Sequence, residues 1–326
     1  MQGKEASEQE TKTKSSVGVD VSKDWLDVHV LPTDEQLRVP NTCAGIRQLK
    51  RWLMRRDPAL IVVEATGKWH RPLRRSLDAA AIPVAVIDPF RVRMFAKAQG
   101  VLAKTDRLDA RVLAQFAAVM APPVRAPEPE ALEQLRELVV ARASAVEQQT
   151  ALKNQRSAAT VKFLQRQLNR RIERADKDIE ALDAAILKRI EVDEHLARRY
   201  AILISIAGIG FVAAATLLAC LPELGKSTVK QIAMLAGLAP IADQSGKREG
   251  VRVIWGGRAN VRRILYLAAL SATRFNLDMK AFYLRLIAAG KPPKLAIIAV
   301  ARKLAILANT LISQDRIWLP QSPKHA

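Results

Sequence analysis

A chain of 326 residues with 49% apolar content is long enough for two or three domains with real cores. Its 52 lysines and arginines stand against 32 aspartates and glutamates, a net charge of +20 that favours a polyanionic partner. No apolar run reaches the roughly 18–20 residues of a bilayer span, the polar opening MQGKEASEQETKTKSS lacks a signal-peptide core, and Cys43 and Cys220 form neither a disulfide framework nor a zinc spacing. Nucleic acid rather than membrane is therefore the expected polyanion, and a reducing cytoplasm the expected compartment.

Residues 1–15 read as a disordered tail. VGVDVSKDWLDVHVL (17–31) predicts a strand, a tight turn and a second strand, with Val17, Val19 and Val21 on one face and Gly18, Asp20 and Ser22 on the other. A third strand is expected near 36–40, then a helix from about Thr42, its N-cap, to 56. ALIVVEATG (59–67) predicts a short buried strand, HRPLRRSLDAAA (70–81) a helix and IPVAVID (82–88) another strand. Helices over 89–99 and 106–119 complete a mixed α/β sheet domain spanning 16–125. Proline-rich APPVRAPEPEA (121–131) marks its boundary. Over 126–200 the chain becomes helical. Val161, Leu164, Leu168, Ile172, Ala175, Ile179, Leu182 and Ile186 are spaced 3, 4, 4, 3, 4, 3, 4, close to a heptad seam. That spacing predicts an antiparallel helical hairpin or an intermolecular coiled coil, with one long helix packed on its own domain as the alternative. A second, helix-rich globular domain follows over 201–315, and 316–326 reads as a frayed tail.

Four carboxylates stand out. Asp20 lies within the first strand opposite the valines, where a charge is costly to bury unless it is paired or binds a cation. Glu64 ends an apolar strand, and sites in α/β sheets are built at strand C-termini. Asp106 and Asp109 share a helix face, because positions i and i+3 are neighbours. Singly, each has a plain explanation: Asp20 with Lys23, Glu64 with Arg71, Asp106 as a helix cap. Jointly they offer oxygen ligands for hard divalent cations of the kind that drive phosphoryl transfer.

The order strand, strand, helix is the ribonuclease-H-like arrangement. VGVDVSKDWLDVHVL, VVEATGKWHRPL and AKTDRLDARVLAQF resemble the three blocks of the DEDD transposases of the insertion-sequence one-ten family, which includes the Piv DNA invertase. The resemblance implies a RuvC-like catalytic domain, a D, E, D, D tetrad at Asp20, Glu64, Asp106 and Asp109, and magnesium as the ion, with manganese as a substitute.

Two further stretches belong to the second domain. LISIAGIGFVAAATLLACL (203–221) reads either as a helix-hairpin-helix, with Gly208 and Gly210 allowing close approach to a phosphate, or as a plain turn between helices. GLAPIADQSGKREGVRVIWGGRANVRRILYLAALSAT (237–273) gathers Ser245, Lys247, Arg248, Arg252, Arg258, Arg262 and Arg263, a set suited to a phosphate chain. By its residues alone Ser245 is a turn serine. The stretch resembles the family's C-terminal block, whose serine is needed for recombination, and the resemblance implies a covalent phosphoserine link to DNA.

His29, His70, His195 and His325 are expected at the solvated surface. The functional expectation is a DNA transposase or recombinase that uses a metal site and a serine, guided by a bridge RNA as the resemblance implies. The alternatives are a Piv-type invertase, a RuvC-like nuclease that uses water, and a non-catalytic nucleic-acid scaffold. A homodimer assembling to a tetramer on nucleic acid is the expected assembly, since recombination joins four DNA ends.

Overall fold

The computed structural model describes residues 15–100, 106–241, 244–245, 248–249 and 253–320, with backbone alone at 106–108, 241, 244–245 and 248–249. It falls into two compact units, Met1–Pro127 and Glu128–Ala326.

The first unit is a five-stranded mixed sheet between two helical layers. Its strands are β1 (Ser16–Val21), β2 (Trp25–Leu31), β3 (Glu35–Pro40), β4 (Leu60–Glu64) and β5 (Val84–Ile87), in the order β3-β2-β1-β4-β5. The first three form an antiparallel meander, while β1, β4 and β5 run parallel. The alternation read from the sequence sets the faces. Val17, Val19 and Val21 pack with Ile46, Leu49 and Leu53 of α1 (Cys43–Met54) and with Leu73 and Leu77 of α2 (Arg71–Asp78). The opposite face carries Leu60, Val62, Ala85 and Ile87 against Val92 of α3 (Pro89–Ala98) and Leu113, Phe116 and Ala117 of α4 (Asp106–Met120).

Local chemistry starts these helices where the sequence places them. Thr42 accepts a hydrogen bond from the Gly45 amide at 3.2 Å, and Asp88 accepts one from the Phe90 amide at 2.8 Å, so each satisfies an otherwise orphaned donor. Gly18 has a packing reason: a Cβ there would meet the Ala110 carbonyl oxygen at 2.1 Å and the Ala114 nitrogen at 2.3 Å. Only a glycine lets the α4 backbone lie this close to β1.

The second unit opens with α5 (Glu130–Ala158) and α6 (Lys162–Glu191), joined by three residues and therefore antiparallel. Arg142 pairs with Asp183, Gln149 with Asp176 and Arg156 with Asn169, so the cross-helix contacts recur every seven residues on both helices. Two helices cover only one side of a seam. Accordingly Leu168, Ile172, Ile179 and Leu182 are half-buried, and only Ile186, near the base, is fully covered.

The remainder is α7 (Glu194–Ser205), α8 (Phe211–Cys220), α9 (Val229–Leu235), α10 (Ala259–Phe275), α11 (Leu277–Ala288) and α12 (Pro293–Ser313), with short strand pairs between α9 and α10. Here one expectation is corrected. Helix α12 has 21 residues, and its most apolar 18-residue stretch has a mean hydropathy of 1.9, long and apolar enough by composition to cross a membrane. Lys294, Arg302 and Lys303 interrupt it at sequence level and hide the run. Its inner face supplies Ala296, Val300, Ala301, Leu304, Ala305, Ala308 and Leu311 to the core of the unit. Asn309 in the same helix accepts from the Gly225 amide at 2.7 Å and donates to the Ser227 carbonyl at 2.9 Å, so a polar side chain on this face is satisfied by the protein.

Candidate active site

Asp20 and Glu64 are brought together by strand register. In the parallel pairing of β1 and β4, Val19 faces Val63, so the next residues stand level on neighbouring strands with side chains on the same face. Both lie where the two parallel strands end. Helix α4 crosses this face at Gly18, two residues before Asp20, and begins at Asp106. Asp109 is half-buried on its first turn. The Asp106 side chain lies outside the described residues. Among the described residues no group of three or more His, Cys, Asp or Glu side chains forms a ready-made metal cage. A level pair of carboxylates on adjacent strands still fits a hard cation such as magnesium, which takes one or two carboxylates and completes its shell with water and substrate phosphate.

A further acid joins the row. Asp27 of β2 is 6% exposed and stands directly opposite Asp20 in the antiparallel pairing. Arg38 of β3 lies opposite Asp27, with Nε 3.6 Å from Oδ1. The sheet therefore carries Arg38, Asp27, Asp20 and Glu64 in one transverse line. Like charges facing each other across strands are destabilising, and Arg38 offsets the charge of Asp27 from its other side. Sequence reading missed Asp27. The signal was the hairpin itself, since a turn over 22–25 makes 20 and 27 partners.

The rim of this strand end is aromatic and polar. Asn41 donates from Nδ2 to the carbonyls of Ser22 at 2.9 Å and Trp69 at 3.3 Å, tying the β1–β2 turn to the loop after β4. Trp25 and Trp69 are partly exposed there, with the Arg38 guanidinium 5.0 Å and the Lys68 ammonium 5.2 Å from the respective ring centroids.

Two of the histidines, His29 and His70, depart from the surface expectation. His29 is only 1% exposed, because it faces α4 across from Gly18, and its Nε2 lies 2.9 Å from Asp34 Oδ1. Burial pulls its pKa below the ordinary value, Asp34 opposes this and Arg111 adds to it. His70, before α2, is half-buried and likewise pushed down by burial, with a backbone contact to Thr66 opposing and Arg71 and Arg74 reinforcing. His195 is exposed, and His325 lies outside the described residues.

In the second unit, Ser245 lies in a two-strand finger. Strands β6 (Pro240–Ile241) and β9 (Val253–Ile254) pair at its root, and β7 (Gln244–Ser245) and β8 (Arg248–Glu249) pair beyond them, with Ser245 opposite Arg248. Lys247 and Arg252 lie outside the described residues.

The root is held by the block's glycines and arginines. Gly257, at φ +65°, sits so close to Gly237 that a Cβ would meet the Gly237 nitrogen at 2.3 Å. Arg262 donates from Nη1 to the Gly256 carbonyl at 2.8 Å. Arg258 grips Glu223 through both terminal nitrogens, at 2.6 and 2.7 Å, and donates to the Cys220 carbonyl at 3.0 Å. Arg136 does the same from α5, pairing with Glu128 and donating to the Ala219 carbonyl at 2.8 Å. Two arginine–carboxylate pairs thus cap the C-terminus of α8, where the helix dipole favours cations. Arg263 pairs with Glu147 at 2.9 Å.

Gly208 also has an internal reason. At φ +105° it packs on Ala272, whose Cβ would stand 2.6 Å from an added Cβ, and Asn276 donates to the neighbouring Ala207 carbonyl at 3.2 Å. Gly210, the N-cap of α8, has open space where a Cβ would be.

Comparison with known proteins bears on both units. A model described as a transposase, built on the DEDD domain of the IS110 group, matches residues 17–165, and a model of the transposase IS116/IS110/IS902 family matches 200–284. The pilin gene-inverting proteins of Moraxella bovis and Moraxella lacunata are each 27% identical to this chain over 318 residues, covering 93% of it and 97% of their own length.

Proposed function

Since the chain belongs to the IS116/IS110/IS902 transposase family and is a DNA recombinase, we propose that it cuts and rejoins DNA with a metal-dependent carboxylate site in a RuvC-like, ribonuclease-H-like first unit and with Ser245 as nucleophile. The observation that carries the reading is the level pairing of Asp20 and Glu64 on parallel strands, with the helix bearing Asp106 and Asp109 laid over the same face. Asp20, Glu64, Asp106 and Asp109 would hold magnesium, or manganese in its place. When bound, such an ion neutralises phosphate charge and stabilises the oxygens that attack and depart.

The chain's own groups supply the rest. The Ser245 Oγ bonds to phosphorus as the P–O bond to one strand breaks, and that strand leaves with a free hydroxyl. The hydroxyl of another strand then attacks the phosphoserine, restoring the diester and the serine. Arg248, opposite Ser245 in the pairing of β7 and β8, and Lys247, two residues from Ser245 in sequence, would supply cations to the phosphate in transit. Arg258, Arg262 and Arg263 hold the finger's root and its surroundings. The open α8 N-terminus at Gly210 suits a DNA phosphate, as in a helix-hairpin-helix. Sites on the DNA are chosen through a bridge RNA, which leaves the protein to read backbone and shape. A homodimer, with the mixed-sign base of the α5–α6 hairpin as its coiled-coil interface, assembles to a tetramer on nucleic acid in the cytoplasm.

Covalent trapping tests this. Protein, labelled DNA carrying an element end, magnesium and the RNA transcribed from the element's flank are mixed and run on a denaturing gel. A protein–DNA adduct that disappears in Ser245→Ala and in Asp20→Asn is expected. Cleavage without adduct that persists in Ser245→Ala would establish water as nucleophile. A second reading, site-specific inversion, is favoured by the near full-length match to two pilin gene-inverting proteins. It predicts recombination between fixed inverted sites without added RNA.

A further inference from the structure

Residues 148–172, which end α5, make the turn and begin α6, contain six cations and no Asp or Glu: Lys153, Arg156, Lys162, Arg166, Arg170 and Arg171. The rest of the hairpin is of mixed sign, and its ion pairs form there, Arg142 with Asp183 and Arg174 with Asp178. Among the described residues none of the six distal cations forms an ion pair with a carboxylate. All except Arg156 are exposed. Lys162, Arg166 and Arg170 recur every four residues, a stripe about 12 Å long on one side of α6. The seam residues Leu168 and Ile172 lie on another side. Gln155 and Gln167 are exposed in the same stretch of the hairpin, and Val161 and Phe163 are exposed at the start of the stripe.

We propose that the distal part of this hairpin is a DNA arm, which grips the phosphate backbone of a duplex through Lys162, Arg166 and Arg170. Unpaired cations at regular spacing with amide neighbours suit backbone contacts that carry no sequence information. A second copy is a poor occupant, because tip-to-tip packing would set like charges against each other. The arm is distinct from both the carboxylate row and the serine finger. It rests on the chain's action on DNA and not on Ser245 chemistry.

The test is fluorescence anisotropy of the full chain with a 30-base-pair labelled duplex of arbitrary sequence, across a series of salt concentrations. The triple variant Lys162→Gln, Arg166→Gln, Arg170→Gln keeps good helix formers on an exposed face, so its thermal melt should match the parent's. Each lost phosphate contact lowers the slope of log K against log salt by about 0.9. The variant should therefore lose about 2–3 from the slope and bind on the order of 10- to 100-fold more weakly at 0.15 M salt. A charge-matched control on the exposed face of α1, Arg47→Gln, Arg51→Gln, Arg55→Gln, should change the slope by less than half as much. Arg166→Lys with Arg170→Lys should keep it. Unchanged binding, an equal loss in the α1 control, or a loss confined to an RNA duplex of the same length would each overturn the proposal. None of these depends on strand cleavage, so failure of the arm and failure of the serine mechanism are told apart.

Discussion

Gly257 and Gly237 touch backbone to backbone at the root of the serine finger, and both have positive φ. Gly257→Ala adds left-handed strain and a clash with main chain that has no rotamer to move. A loss of about 2–3 kcal/mol is expected, read as a fall in Tm of roughly 5–10 °C. Gly256→Ala, with open space around its Cβ position, should cost only the φ strain. His29 gives a pH test. Its pKa is depressed by burial, so the unfolded chain takes up the proton first. Stability is then complete above the unfolded value of about 6.5 and declines as pH falls from there toward the folded value. Urea melts between pH 5 and 7.5 should show this slope, and His29→Gln should flatten it. Neither residue announces its role in the sequence. The alternation of WLDVHVL gives the side on which His29 and Asp27 lie, but α4, which buries that side, comes some eighty residues later. Gly208 and Gly257 show as glycines, while Ala272 and Gly237, the atoms that require them, are distant in the chain.

Elements were more legible than contacts. Thr42 caps α1, the valines of β1 face the core, and the proposed third strand pairs with β2, because these depend on neighbours within a few residues. The serine stretch defeated periodicity. Its strands are two residues long, and it reads as a loop where the chain forms a finger. The hairpin lies between these cases. The heptad spacing left its partner open, and the cross-helix pairs at 142 and 183, 149 and 176, 156 and 169 show α5 and α6 pairing with each other. That register makes a prediction. Deleting 150–156 together with 169–175 removes one heptad from each helix and keeps the remaining pairs in step. The arm should shorten by about 10 Å and stay helical by circular dichroism. Deleting four residues from α6 alone should lower the melting temperature by misaligning the seam.

For the whole molecule, the net charge of +20 frames association as well as affinity. Binding to any duplex should weaken steeply with salt, and association should slow with it. Sedimentation equilibrium should show a dimer that becomes a tetramer when DNA and RNA are added, and a monomer under all conditions would remove the assembly proposed above. The transverse line of Arg38, Asp27, Asp20 and Glu64 has a consequence at this scale. Folding the sheet aligns acids that the unfolded chain keeps apart, so their mutual repulsion is a cost of the native register, which Arg38 offsets at Asp27. On the metal-site reading proposed above, a cation at Asp20 and Glu64 would offset more of that cost. Millimolar magnesium should therefore raise the melting temperature with no nucleic acid present, and Asp27→Asn should raise it without magnesium while shrinking the ion's effect. On that reading, fold stability and readiness for a cation are set against each other by the same hydrogen-bonded register.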